Sequence, residues 1–347
     1  MRARALIGAT LLAWALLPAL ALVASADEDP PLPPVDAGPP LRPPLTVLRA
    51  VERVATVTTP PGAPKRELIV LVGGYASEPN DEVFDALRER VAQEGYDVVR
   101  FGHDLGTYDT FGAVDANAAR LRDSVRSVST DYSGVHLVTH SMGGVVADRA
   151  FALGLSASDG VTTYVAWAAP HNGAHAAQAL QSALTLSGPA REDTRAFTTL
   201  LFRDRDPDDV AVQDLARAQA PRPPAGVARL DLRLATDALV SSTDARDPGV
   251  ASRVLLPGSI ETLEGHGGIS RSDEALDLTM ATIRSKAVPP DERGLALRAA
   301  TEVVAQTVDD HARWVLAGVC VVCLIGGVGG LVRRTLRRGL PWPPFSE

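Results

Sequence analysis

The stretch Val135-His-Leu-Val-Thr-His-Ser-Met-Gly-Gly144 decides how this chain of 347 residues folds. Its first five residues form a β-branched, apolar run typical of a buried strand, and a helix is predicted from Met142 to about Gly154. A serine at a sharp strand-to-helix turn is typical of a nucleophile elbow, in which a strained backbone raises the hydroxyl above the sheet. A side chain at Gly143 would collide with the adjacent strand. Ser141 is therefore the candidate nucleophile, although Thr139 replaces the first glycine of G-x-S-x-G.

Short apolar runs alternate with helical stretches on both sides of this turn. Such strands, buried on both faces and separated by helices, predict a mostly parallel central sheet flanked by helices, the α/β class. Residues 47–58 add one or two expected edge strands. The predicted strands are 67–72, 97–101, 135–139, 162–167, 228–235 and 253–256, and the predicted helices are 80–94, 113–129, 142–154 and 273–286.

Two later segments supply the acid and base that a serine nucleophile requires. Asp237 follows the fifth predicted strand, and His266 lies between glycines after the sixth. Both come at the C-terminal ends of parallel strands, the edge where ligands bind in open α/β sheets. His266 would accept the serine proton, and Asp237 would fix its tautomer and stabilise the imidazolium. Asp244 and Asp231 are the alternative acids.

The oxyanion hole of such a site requires two backbone N–H donors. Met142, directly after the nucleophile, supplies one of them. The loop after the first strand, Gly73-Gly74-Tyr75, is expected to supply the other through the N–H of Tyr75. A Gly-Gly pair that merely ends a strand is the alternative interpretation.

Four segments resemble α/β-hydrolase-fold serine esterases and lipases, especially the bacterial triacylglycerol-lipase-like group. They are the nucleophile stretch, Leu71–Tyr75, Ala168–Gly173 and the acid and histidine positions. Gly73 replaces the family's usual histidine, and Ala169 replaces its threonine. The resemblance implies hydrolysis of acyl or lipid esters through an acyl-enzyme on Ser141, without a cofactor. A thioesterase or acyltransferase on the same triad remains open, as does a catalytically silent binding module on a hydrolase scaffold.

The two ends of the chain are interpreted as targeting segments. Residues 1–26 have the basic start, apolar run and A-x-A site of a signal peptide, although an uncleaved anchor would also fit. A proline-rich spacer is expected at 27–46, before a hydrolase domain at 47–286 and a stalk at 287–313. Residues 314–332 carry no charge and predict a transmembrane helix, and the arginines that follow assign 333–347 to the cytoplasm. We therefore expect an exported protein anchored in the cell membrane, with its catalytic domain outside.

The charge and motif content of the sequence limit the kinds of partner that the protein is expected to bind. A formal net charge of −8 argues against nucleic-acid binding. No metal-ligand spacing of the H-E-x-x-H kind is present, and the aspartates at 204–209 match no calcium loop that we can defend. A G-x-x-x-G pair at Gly326 and Gly330 is the one indication of helix-mediated dimerisation.

Features outside the candidate triad have other interpretations. The long interruption at 187–224 has the mixed charge of a solvated, partly helical excursion, and its position suits a lid over the substrate site. His136 and His140 are interpreted as packing residues. His171 is a candidate for contact with the rim of the site, and no motif supports a role for His103-Asp104.

Overall fold

The computed structural model describes residues 65–78, 82–184, 210–219, 224–245, 247, 249–259, 263 and 265–312. Within these ranges, no helix is both long enough and apolar enough to cross a membrane. The predicted signal peptide, spacer, edge strands at 47–58, transmembrane helix and cytoplasmic tail all lie outside the described residues, as does the part of the predicted lid at 187–209.

A six-stranded sheet forms the centre of the described part of the chain, and every strand pairing in it is parallel. Its strand order is β2-β1-β3-β4-β5-β6. The predicted parallel α/β sheet is confirmed. The strands are β1 Glu67–Val72, β2 Asp97–Arg100, β3 Gly134–His140, β4 Val161–Trp167, β5 Ala228–Leu234 and β6 Ala251–Leu255.

Helices cover both faces of the sheet, because successive strand residues point to opposite sides and both sides are apolar. On one face α2 and α3 pack on Leu68, Val70 and Leu137. On the other, α1 and α7 pack on residues such as Ile69 and Val138. The helices are α1 Asp85–Ala92, α2 Val114–Ser129, α3 Met142–Ala152, α4 His175–Leu184, α5 Val210–Arg217, α6 Ser242–Ala245, α7 Asp273–Ser285 and α8 at 295–312.

The first turn of α3 crosses the end of β1 in backbone contact. A Cβ atom added to Gly143 would lie 2.3 Å from the carbonyl oxygen of Val72 and 2.6 Å from that of Gly73. Val72 is the last residue of β1 and Gly73 follows it directly, so both carbonyl groups have little freedom to move. The predicted collision at position 143 is thus confirmed, and it explains why the helix can start where it does.

A buried cluster of charged side chains joins α3 to β5 and the turn after β4. His171 lies 2.5 Å from Asp148 of α3 and 3.4 Å from Asp231 of β5. Arg229 pairs with Asp148 at 3.3 Å, with Asp231 at 3.1 Å and with Asp247 at 3.0 Å. These five side chains, called the buried charge cluster below, belong to residues between 1% and 6% exposed. Since no sequence motif marked it, the cluster was not predicted.

The buried charge cluster holds His171 in its protonated form. Burial opposes the charge, but the carboxylates of Asp148 and Asp231 outweigh it and raise the pKa of His171 to about 10. Burial likewise raises the pKa of Asp231, but His171 and Arg229 outweigh it and leave that pKa below its usual value. The cluster is therefore a set of mutually neutralising charges, in which each member depends on the others.

Helix α5 shows that the C-terminal part of the predicted lid belongs to the domain. Ala211 is fully buried, and Leu215 accepts a hydrogen bond from the N–H of Ala174 at 2.9 Å. Asp214 accepts one from the N–H of Val114 at 2.8 Å. This part of the segment is thus a packed helix rather than a solvated excursion.

Helix α8 occupies most of the predicted stalk, and one of its faces is buried. Thr301, Ala305 and Asp309 recur at helical spacing and are at most 3% exposed. Ala305 packs with Ala235 and Val254, and Asp309 lies 3.6 Å from the buried guanidinium of Arg233. The described part of the stalk therefore packs on the β5–β6 edge instead of standing clear of the domain.

We predict that Gly143→Ala destabilises the protein by at least about 1–3 kcal/mol, because its methyl group overlaps fixed backbone. Urea unfolding measures the effect. Gly258→Ala is the matched control, since a Cβ atom there meets nothing within 4 Å and should change stability by less than about 0.5 kcal/mol. Equal stability of the Gly143→Ala variant and the wild type would contradict the backbone crossing.

We predict that His171→Gln flattens the pH dependence of stability above neutral pH. A pKa raised from 6.5 to about 10 on folding contributes stability that is fully present below pH 6.5 and is lost as the pH rises through 10. Urea unfolding at pH 7, 8 and 9 measures this slope. His171→Gln is less stable at every pH because it disturbs paired buried charges, but it should lose less stability between pH 7 and 9 than the wild type. The exposed control His103→Gln should lose as much stability over this interval as the wild type. Parallel profiles for His171→Gln and the wild type would count against a protonated His171.

Candidate active site

Ser141 is held at the turn between β3 and α3 in a backbone conformation that non-glycine residues seldom adopt. Its φ is 53° and its ψ is −128°. The serine N–H donates to the carbonyl of Trp167 on β4 at 2.9 Å, and its own carbonyl accepts from the N–H of Gly144 at 3.0 Å. Such strain persists only where the surroundings enforce it, and it clusters at functional sites.

His266 lies between Ser141 and Asp237, on the loop that follows β6. Its Nε2 is 2.8 Å from the Oγ of Ser141, and its Nδ1 is 3.0 Å from the Oδ2 of Asp237. A carboxylate only accepts hydrogen bonds, so Nδ1 carries the proton and Nε2 accepts from the serine hydroxyl. The structure thus brings together the three residues that the sequence proposed, with the histidine in the orientation of a general base.

Asp237 is fully buried, and both of its carboxylate oxygens are hydrogen-bonded. Oδ2 faces His266, while Oδ1 accepts from the N–H groups of Leu239 and Val240, each at 3.0 Å. Arg233 steadies the same loop by donating to the carbonyl of Val240 at 3.2 Å. These bonds fix the direction in which the carboxylate presents itself to the imidazole.

The loop after β1 passes directly against the nucleophile. A Cβ atom at Gly74 would lie 2.8 Å from the Cβ of Ser141. The hydroxyl of Tyr108 donates to the carbonyl of Gly73 at 2.9 Å, and the ring of Tyr75 meets Phe111 edge-on at 5.3 Å. The predicted oxyanion loop is therefore beside Ser141, and Met142 begins the helix, where N–H groups have no partner within the helix. The assignment of Tyr75 and Met142 as the two donors stays a prediction.

The alternative acids have other partners. Asp244 contacts the ring of His175, and its carboxylate accepts from the N–H of Ser241 at 3.1 Å. Asp231 belongs to the buried charge cluster, as does His171, which is 1% exposed and thus not part of an accessible rim.

His103 and Asp104 form an exposed pair with Nδ1 and Oδ1 2.5 Å apart. His103 helps to line a small hollow beside the predicted oxyanion loop, together with Gly73 and Tyr108. No contact in the described structure links this pair to the three residues of the candidate triad, so it has no assigned role in the site.

His140 contributes more to the site than the packing role that the sequence suggested. Its Nε2 is 3.0 Å from the backbone carbonyl oxygen of His266, and the two imidazole rings have centroids 4.9 Å apart. Desolvation of the ring, together with the repulsion that a charged His266 would exert, lowers the pKa of His140 to about 4. The one signal in the sequence is its position directly before Ser141.

Among the described residues, no group of three or more histidine, cysteine, aspartate or glutamate side chains could hold a metal ion.

Residues 113–186 match the family model described as a PGAP1-like alpha/beta domain. The matched segment of this chain spans α2 to α4 and includes the nucleophile turn. No curated protein matches the chain in sequence.

Solved structures with similar folds include lipases and esterases. A mature lipase of Bacillus licheniformis is 16% identical, with 65% of this chain and 94% of the lipase covered at a TM-score of 0.47. A metagenomic carboxyl esterase is 18% identical over 77% of this chain and 81% of its own, with a TM-score of 0.42. An esterase of Thermogutta terrifontis is 17% identical over 65% and 92%, with a TM-score of 0.41.

The fold implied by the sequence resemblance is confirmed. The parallel sheet flanked by helices, the strained serine between β3 and α3, and the matched α/β-domain segment describe the same architecture. The chain has the α/β-hydrolase fold.

Proposed function

We propose that this protein is a serine hydrolase that cleaves carboxylic esters with acyl or lipid chains through an acyl-enzyme on Ser141. The observation that carries the proposal is the continuous chain of hydrogen-bonding distances from Ser141 through His266 to Asp237, 2.8 Å and 3.0 Å long. A binding module has no need to strain a serine against a general base. The complete set of groups therefore favours catalysis over a silent scaffold.

The reaction follows from the positions of these groups. The Oγ of Ser141 attacks the ester carbonyl while its proton passes to the Nε2 of His266. The resulting oxyanion would accept hydrogen bonds from the N–H groups of Met142 and Tyr75. When the tetrahedral intermediate collapses, the bond to the alcohol breaks, and the leaving alkoxide takes the proton from His266. Water then repeats the sequence, releases the acid and restores the serine hydroxyl.

Asp237 acts through His266 and does not touch the ester. Its buried carboxylate holds the proton on Nδ1, so that Nε2 is available as the base, and it stabilises the imidazolium formed after proton transfer. Because both carboxylate oxygens are already bonded, little reorganisation accompanies that charge.

We further propose that the hydrolase is exported and tethered to the outer face of the cell membrane. The apolar start of the chain, the uncharged stretch at 314–332 and the arginines after it support this location. Helix α8 ends its described part at residue 312, two residues before that stretch begins. A lipid ester in the same membrane would then lie near the catalytic domain.

We predict that a fluorophosphonate probe labels the wild-type protein and that Ser141→Ala abolishes labelling, because only an activated serine attacks such a probe. Gel fluorescence measures the labelling, and Ser270→Ala, which removes a hydroxyl bonded to the Gly267 carbonyl, is the serine control. A membrane-impermeant probe applied to intact cells should also label the wild type. An unreactive wild-type protein would contradict the hydrolase proposal. Labelling only after lysis would contradict the proposed location on the outer face of the membrane and leave the proposed activity intact.

We predict that Asp237→Asn lowers kcat on a nitrophenyl ester by about 10³–10⁴-fold, because an uncharged partner no longer fixes the tautomer of His266 or stabilises its cation. Asp244→Asn is the matched control, since Asp244 is also buried and also faces a histidine ring, that of His175. It should keep most of the wild-type activity. The opposite ranking of the two variants would identify Asp244 as the acid.

A further inference from the structure

We infer that His140 is a positioning residue, which holds the loop of the general base at the nucleophile by donating a hydrogen bond to the backbone carbonyl of His266. The inference rests on the proposed function, because it assigns a task within the same site. The donor and acceptor atoms are 3.0 Å apart, a normal distance for an N–H···O hydrogen bond.

The loop that carries His266 has a backbone with unusual freedom. Glycines precede and follow the histidine, and Gly265 has a φ of +67°. A Cβ atom at Gly265 would lie 2.5 Å from the carbonyl oxygen of Thr236, so glycine is required there. Glycine removes the local restrictions that would otherwise hold the imidazole in place. The position of His266 therefore depends on contacts with other parts of the molecule.

His140 is well placed to provide such a contact. It is the last residue of β3, paired in register with Trp167 on β4, and Ser141 follows it directly. The hydrogen bond therefore connects the backbone of His266 to β3, the strand that leads directly into the nucleophile. A displacement of about 1 Å between reacting groups costs roughly 10²-fold in rate, so a link between these two segments has a direct effect on turnover.

The protonation state of His140 suits this task. A carbonyl oxygen only accepts, so Nε2 must carry a proton. The charged and titratable groups that face the ring are His266 and Asp237, and with a pKa of about 4 the ring is neutral at neutral pH. A neutral ring does not repel the imidazolium that forms on His266 during proton transfer, whereas a second cation 4.9 Å away would oppose it.

Substitutions at position 140 distinguish a role as hydrogen-bond donor from a role in packing. His140→Leu keeps the bulk but has no donor, whereas His140→Gln retains an N–H group of similar reach. His140→Asn also carries an N–H group, but on a side chain one carbon shorter. His136→Leu is the control, because it removes a buried imidazole from the same strand, bonded to Thr163 at the opposite end from Ser141.

The measurements are kcat and KM on a nitrophenyl ester, the rate constant for fluorophosphonate labelling, and Tm. We expect His140→Leu and His140→Asn to lower kcat and the labelling rate about 10–100-fold with KM within about twofold of wild type. His140→Gln should recover most of the loss, and His136→Leu should lower Tm without lowering kcat. The pH at half-maximal kcat/KM should be unchanged in His140→Gln, since a neutral ring is replaced by a neutral amide.

Four outcomes would overturn the inference. Wild-type kcat in His140→Leu would show that the loop needs no such donor. Equal losses in the Gln and Asn variants, or a comparable loss in His136→Leu, would assign His140 a packing role. An unreactive wild-type protein would remove the proposed function and this inference together, whereas a reactive wild type with unaffected His140 variants removes the inference alone. If the leucine variant does not fold, the comparison of the Gln and Asn variants decides.

Discussion

The candidate site depends on the close crossing of two backbones, the first turn of α3 and the end of β1. The crossing leaves no room for a side chain at Gly143, and it is accompanied by a φ of 53° at Ser141. Backbone strain of this kind costs about 1–3 kcal/mol and needs support from its surroundings. The bond from Ser141 to Trp167 supplies part of that support.

The buried charge cluster also stabilises this turn. Asp148, on the second turn of α3, pairs with His171 and Arg229, and the hydroxyl of Tyr164 donates to the carbonyl of Gly144 at 2.9 Å. These contacts attach the start of α3 to β4 and β5. Because breaking a buried ion pair costs about 3–5 kcal/mol, the helix cannot retreat easily from its strained position.

Much of this architecture could be predicted from the sequence, because the signals were local. Buried strands appear as apolar runs, and Ser141, Asp237 and His266 each follow a strand whose C-terminal end lies at one edge of a parallel sheet. The buried charge cluster could not be predicted in the same way. Asp148, His171 and Arg229 are far apart along the chain, and isolated charges usually indicate a solvated surface.

The packing of α8 and the contact of His140 escaped prediction for a related reason. The buried face of α8 consists of Thr301, Ala305 and Asp309, small or polar residues that do not produce an apolar stripe. The hydrogen bond of His140 joins segments 126 positions apart and ends on a backbone atom, which has no signature in the sequence. Polar contacts between distant segments can be identified only in the folded structure.

The pairing of Arg233 with Asp309 has a mechanical consequence. One guanidinium nitrogen lies 3.6 Å from Asp309 on α8 and 3.2 Å from the carbonyl oxygen of Val240 in the loop of Asp237. Tension applied to the chain beyond residue 312 therefore reaches that loop through a short, buried connection. Since N–H groups of the same loop hold the Oδ1 of Asp237 in place, we expect a pull on α8 to displace this carboxylate at forces too small to unfold the sheet.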